Sequence, residues 1–166
     1  ALLAVLYGGG LRRAEAVALD LADLDPETGA LVVRHGKGNK ARTVYATNGS
    51  NRALAAWLAV RGAEPGPLFH RIRKGGELVP ARLTPQAVLV ILERRGGAAG
   101  VAHFSPHDLR RTFISELLDT GADLATVRAL AGHARVETTA GYDRRGEQAK
   151  RRAAEMLHFP YDPVAA

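Results

Sequence analysis

Between residues 84 and 132 the chain is punctuated three times in the same way, and this constrains the fold more than any other feature. Thr84 stands before Pro85, Ser105 before Pro106, and Asp123 before a run of mainly apolar residues. A hydroxyl or carboxylate oxygen at a helix N-cap accepts a backbone N–H of the first turn. Proline suits the next position because its missing donor would go unused there. Gly121 and Gly132 supply stops of the kind glycine gives helix C-termini. The pattern predicts helices from Pro85 to about Arg95, from Pro106 to Gly121 and from Asp123 to near Gly132.

The first half is less regular. ALLAVLYGGG reads as the end of an apolar helix broken by three glycines. Leu11, Val17, Leu21 and Leu24 follow at near-helical spacing, closed by Pro26 and Gly29. ALVVRH (30–35) and ARTVYA (41–46) are strand-like and flank GKGNK, whose glycines and asparagine suit a hairpin turn. Ser50 is a candidate cap for a helix through Trp57 to Arg61, and a short third strand is expected near Leu68 and Phe69. Residues 136–142 read as one or two turns, and 146–157 as a terminal helix with Ala149, Ala153, Met156 and Leu157 on a narrow apolar stripe. The expected fold class is mainly α with one small antiparallel three-stranded sheet (α+β).

A chain of 166 residues predicts one domain with a real core. No apolar run approaches the roughly 18 residues that span a bilayer, so no membrane partner is expected. With no cysteine, neither disulfides nor thiolate metal sites can form. The only methionine is Met156, so Ala1 is not expected to be a native start. The net charge of +6, with arginine far exceeding lysine, suits a polyanion, although an Arg- and Ala-rich genome would give the same balance. Scarce aromatic residues favour duplex backbone contacts over single-strand stacking.

Several charged residues have a bland reading and a chemical one. Arg12 and Glu15 sit three apart in GGGLRRAE and alone read as a surface ion pair; Arg13 is expected to face elsewhere. Lys37, in HGKGNKAR, reads as a solvated turn unless it delivers a proton, a task lysine performs more readily than arginine; Lys40 is the runner-up. His107 and Arg110, in SPHDLRRTF, lie at i and i+3 on one helix and can face one site. His133, in AGHA, could simply satisfy helix carbonyls. Tyr7 and Tyr45 are expected in the core and Tyr161 lies in a tail, leaving Tyr142 in TTAGYDRRG. His35, His70, His103 and His158 have no partners at metal-ligand spacing and read as structural or solvated.

Taken in order, these motifs over residues 2–145 resemble the catalytic domain of the tyrosine recombinases, the phage-integrase and Xer-like family. The resemblance implies the fold of that domain and site-specific DNA recombination through a 3′-phosphotyrosyl intermediate. It implies that Tyr142 is the nucleophile and that Arg12 and Arg110 clamp the phosphate, with Glu15 supporting the geometry. His107 would be the proton acceptor or hydrogen-bond partner, His133 a phosphate contact and Lys37 the acid that protonates the leaving 5′ oxygen. No cofactor or metal is expected.

Residues 1–145 would be the catalytic core and 146–166 a terminal helix and tail. The family's N-terminal DNA-gripping domain would lie outside this chain. The implied partners are double-stranded DNA and three further copies in a homotetramer on DNA, with this chain alone monomeric and a cytoplasmic, nucleoid-associated location. A type IB topoisomerase-like nicking and religating enzyme, and a catalytically silent DNA-binding module, are the alternatives.

Overall fold

The computed structural model describes residues 1–34, 41–101, 103–158 and 160. The described elements are helices α1 (Leu2–Gly8) and α2 (Arg13–Ala18), a 3-10 turn (Leu21–Asp23), strands β1 (Ala30–Val33) and β2 (Arg42–Tyr45), and helix α3 (Asn48–Arg61). Strands β3 (His70–Ile72) and β4 (Leu78–Arg82) follow, then α4 (Pro85–Ala98), α5 (Pro106–Asp119), α6 (Leu124–Ala131), α7 (Val136–Ala140) and α8 (Gly146–Glu155). Among the described residues no helix is long and apolar enough to cross a membrane.

The three punctuated helix starts form as their sequence requires. The Thr84 hydroxyl accepts the Ala87 N–H at 3.1 Å, and the Asp123 carboxylate accepts that of Thr126 at 2.9 Å. Ser105 and Asp108 cap each other reciprocally: the hydroxyl takes the Asp108 N–H at 3.3 Å while the carboxylate takes the Ser105 N–H at 3.0 Å. At the start of α3 the expectation is corrected. Thr47 holds the N-cap, and Ser50 sits within the first turn, donating its hydroxyl to the Ala4 carbonyl of α1 at 3.5 Å.

The antiparallel pairing also differs from the expected single three-stranded sheet. β1 and β2 pair with Leu31 opposite Val44, while β3 and β4 form a separate two-stranded sheet. The cause lies in what Leu68 meets. Its N–H bonds the Leu19 carbonyl at 2.9 Å, and Leu21 returns an N–H to Gly66 at 2.8 Å. These long-range bonds draw residues 66–68 to the segment after α2 and away from the first hairpin. They also explain why residues 11–24 are not one helix: Leu19 is extended, and the chain restarts as the 3-10 turn.

Two apolar clusters result. The larger joins α1 to α4 and the first hairpin through Val5, Leu6, Leu31, Val44, Leu54 and Leu92. The smaller packs Phe113, Ile114 and Leu118 of α5 on Val127 and Ala131 of α6, with Tyr142 half-buried against it. Tyr7 and Tyr45 are not core residues. They are 41% and 51% exposed, and Tyr7 donates its hydroxyl to Glu116, tying α1 to α5. Met156 and Leu157 are exposed beyond α8.

Gly10 stands where the two clusters meet. Its φ is +60°, and a Cβ there would lie 2.2 Å from the Phe113 ring. Gly10→Ala therefore combines a left-handed backbone with an overpacked contact, and is expected to cost about 2–4 kcal/mol, read as a lower urea midpoint with an unchanged m-value. A midpoint equal to wild type would show that Phe113 yields freely.

Candidate active site

The site is built on the C-terminus of α6. Gly132 turns left-handed there (φ 64°, ψ 46°), its N–H bonding back to Arg128 and Ala129, and the His133 N–H returns to the Arg128 carbonyl at 3.2 Å. The last carbonyls of a helix lack intrahelical donors and carry the negative end of its dipole. Three consecutive ones are each taken by a different arginine. Arg42 donates Nε to Leu130 at 2.8 Å, Arg110 donates Nη2 to Ala131, and Arg12 donates Nη2 to Gly132 at 3.4 Å.

Four elements deliver these side chains. Arg12 is the N-cap of α2, and its own N–H and Nη1 both bond the Glu15 carboxylate, at 2.8 and 2.7 Å. Arg42 opens β2 and grips the same carboxylate as a fork, Nη1 to Oε1 at 2.9 Å and Nη2 to Oε2 at 2.8 Å. Arg110, one turn into α5, reaches back to the Gly10 carbonyl at 2.6 Å. Glu15, Arg42 and Arg110 are buried or nearly so, whereas the Arg12 side chain keeps 31% of its surface.

Burial alone would raise the Glu15 carboxyl, but hydrogen bonds from Arg42 and Arg12 outweigh it and hold the group at about 2. Burial first, then the neighbouring guanidiniums of Arg12 and Arg42, lower Arg110 to about 10; Glu15 and Tyr142 act the other way. Arg110 therefore stays charged at neutral pH. Three guanidiniums around one carboxylate leave two positive charges uncompensated.

His107, exposed on the first turn of α5, shares an open cleft of about 320 Å³ with Arg12 and Arg110. Arg13 lines the same cleft, correcting the expectation that it faces elsewhere. Across the α6 cap, the rings of His133 and Tyr142 stack at 6.1 Å with a 20° tilt. Buried Thr139 holds both: its hydroxyl lies 2.9 Å from His133 Nδ1, and its carbonyl accepts the Tyr142 N–H at 3.0 Å. Lys37 and Lys40 fall outside the described residues.

Of the expected set, Arg12, Glu15 and Arg110 share one hydrogen-bonded scaffold, and His107 shares their cleft. His133 and Tyr142 stack beside it, near enough for Tyr142 to influence Arg110. Arg42 was missed. Its only signal was the alternation of β2, where Arg42 shares the inward phase with buried Val44 and an inward arginine requires a buried partner.

The low Glu15 value fixes a pH dependence. A carboxyl depressed from its ordinary 4.5 to about 2 contributes stability that is whole above about pH 4.5 and is lost as pH falls toward 2, on the order of 3 kcal/mol. Urea midpoints compared at about pH 6 and pH 3 should fall more steeply for wild type than for Glu15→Gln. Equal falls would place the acid sensitivity in the other carboxylates.

Residues 1–148 match the model of the phage integrase family. The chain is 41% identical over 145 residues to tyrosine recombinase XerC of Pseudomonas aeruginosa (strain LESB58) and 43% identical over 145 residues to that of Azotobacter vinelandii. Each match covers 86% of this chain and 46% of the relative. The crystal structure of XerA recombinase shares 28% identity at a TM-score of 0.74, over 95% of this chain and 57% of that one. XerH site-specific recombinase, bound to palindromic difH substrate in a post-cleavage complex, shares 28% identity at 0.68, over 93% and 44%. The chain thus spans about half the length of the relatives it matches. With nine-tenths of its residues inside the family model and an arginine scaffold at the centre of its fold, this chain belongs to the phage integrase family of tyrosine recombinases.

Proposed function

We propose that this chain performs site-specific DNA recombination, cutting and rejoining duplex strands through a 3′-phosphotyrosyl link to Tyr142. The observation that carries the reading is the shared scaffold of Arg12 and Arg110, with His107 open to the same cleft and Tyr142 stacked on His133. Two guanidiniums side by side present paired donors to the two non-bridging oxygens of a phosphodiester, where charge accumulates during displacement. The XerH relative, bound to its substrate after cleavage, supports the same use of the fold.

In the forward step the Tyr142 phenolic oxygen bonds phosphorus as the bond to the 5′ oxygen breaks. The phenolic proton passes toward His107, and the leaving 5′ oxygen takes a proton from Lys37. His133, set by Thr139, contacts the phosphate. Attack by another 5′ hydroxyl on the phosphotyrosine reverses the step. Bond energy is kept in that link, so exchange consumes no nucleotide and positioning carries most of the barrier reduction. Residues 1–145 form the catalytic core and 146–166 an appended helix and tail. Four copies on two duplexes exchange strands in pairs, in the nucleoid of the cell.

On a nicked suicide duplex, wild type is expected to accumulate a covalent protein–DNA product that Tyr142→Phe lacks entirely, resolved by denaturing gel. A product of equal yield from Tyr142→Phe would move the nucleophile elsewhere.

Lys37→Ala is expected to lose cleavage of ordinary DNA and to regain it on a substrate with sulfur at the bridging 5′ position, whose leaving thiolate needs no proton. Without that rescue, Lys37 is a phosphate contact and not the acid.

A further inference from the structure

Arg42 lies outside the set that the family resemblance assigns, yet its side chain makes three hydrogen bonds within the scaffold, where those of Arg12 and Arg110 make two each. Its guanidinium bonds both oxygens of Glu15 and the Leu130 carbonyl, and its side chain is 10% exposed. It is also closely seated: a Cβ on Gly132 would lie 3.0 Å from its Cδ, Nε and Cζ. Arg42 does not line the cleft that holds Arg12, His107 and Arg110, so it is placed to act through Glu15 and not on a phosphate.

The electrostatics give that placement a consequence. Glu15 is a full negative charge 2.7 Å from Arg12, whose side chain is more exposed than that of buried Arg110. With no other cation on Glu15, Arg12 would be half of a neutral pair and would offer a phosphate little net attraction. We propose that Arg42 is a positioning residue of the phosphate site: by taking both oxygens of Glu15 in a fork it neutralises that carboxylate, leaving Arg12 and Arg110 their full charge for the phosphodiester.

Two uncompensated charges match the displacement. The ground-state diester carries one negative charge and the five-coordinate arrangement approaches two, so the second is felt mainly in the transition state. The ordering of influences on Glu15 agrees, because hydrogen bonds from Arg42 are the largest that oppose burial and bring it down to about 2. Glu15 is faced by Arg12 from α2 and Arg42 from β2. Arg110 from α5 and the carbonyls of α6 lie across the same scaffold, and His107 is the neighbouring ionisable group in the cleft.

The inference rests on the strand-cleavage reading above, and the test keeps the two separable. Single-turnover cleavage of a suicide duplex, and Kd for the same duplex, are measured in the full-length protein for wild type, Arg42→Met and Arg42→Lys, with thermal melts as the fold control. Arg42→Met is expected to cleave about 100-fold more slowly at pH 7.5, while Kd changes less than about threefold because Arg42 does not line the cleft. Arg42→Lys, which keeps the charge, is expected within about tenfold of wild type. The gap between Arg42→Met and wild type should narrow as pH falls to about 5, since Glu15, released from its fork, can then take a proton.

Arg42→Lys as slow as Arg42→Met, with a gap that ignores pH, would overturn the charge role and leave Arg42 a structural tie. Arg42→Met as fast as wild type would overturn it outright. If Arg42→Met does not fold, Arg42→Gln removes the charge while keeping a donor, and the same outcomes decide. A wild type that forms no covalent product refutes strand cleavage itself, a different result from equal rates.

Discussion

Three peptide carbonyls at the end of one short helix tie α2, the first hairpin and α5 to α6. Leu130, Ala131 and Gly132 would be orphan acceptors at the C-terminus of α6, and each is given to a different arginine from a different element. Arg42 brings the first hairpin, Arg110 brings α5 and, through Gly10, the start of the chain, and Arg12 brings α2. Buried guanidiniums are costly unless their donors are used, and here the helix end supplies acceptors of the right polarity. The scaffold is therefore also the joint between the two apolar clusters.

That joint explains how a tightly held arginine cluster can open onto a cleft. Packing behind it comes from Leu11 and Ala16 on one side and from Phe113 and Ala131 on the other. Glu15 sits between, and its carboxylate stays charged because forked and backbone hydrogen bonds outweigh its burial. Gly132 sends the chain back in a left-handed turn, and the same turn that frees three carbonyls for the arginines aims His133 toward Thr139 and Tyr142. One helix cap thus sets the cleft arginines and the stacked histidine and tyrosine at once.

Much of the helical frame was legible because its signals are local. Thr84, Ser105 and Asp123 cap through atoms three residues away, so their sequence neighbourhood contains the whole interaction. Ser50 misled because its hydroxyl is spent on Ala4, forty-six residues distant. The third strand was misassigned to one sheet for the same reason, since the bond from Leu68 to Leu19 is invisible to a reading of neighbours. Tyr7 read as core, but its hydroxyl requires a polar partner and finds Glu116 at the surface.

By itself the sequence determined the family resemblance. GGGLRRAE, SPHDLRRTF, AGHA and TTAGYDRRG carry arginine, histidine and tyrosine in one order, and each box is short enough to be read from neighbouring residues alone. Tertiary structure decided how the charges balance. Glu15 lies three residues from Arg12 and twenty-seven from Arg42, and only folding reveals that the distant arginine holds it by both oxygens. Net charge at a site is a sum over neighbours in space, and spacing along a chain reports only those that a single helix or turn brings together.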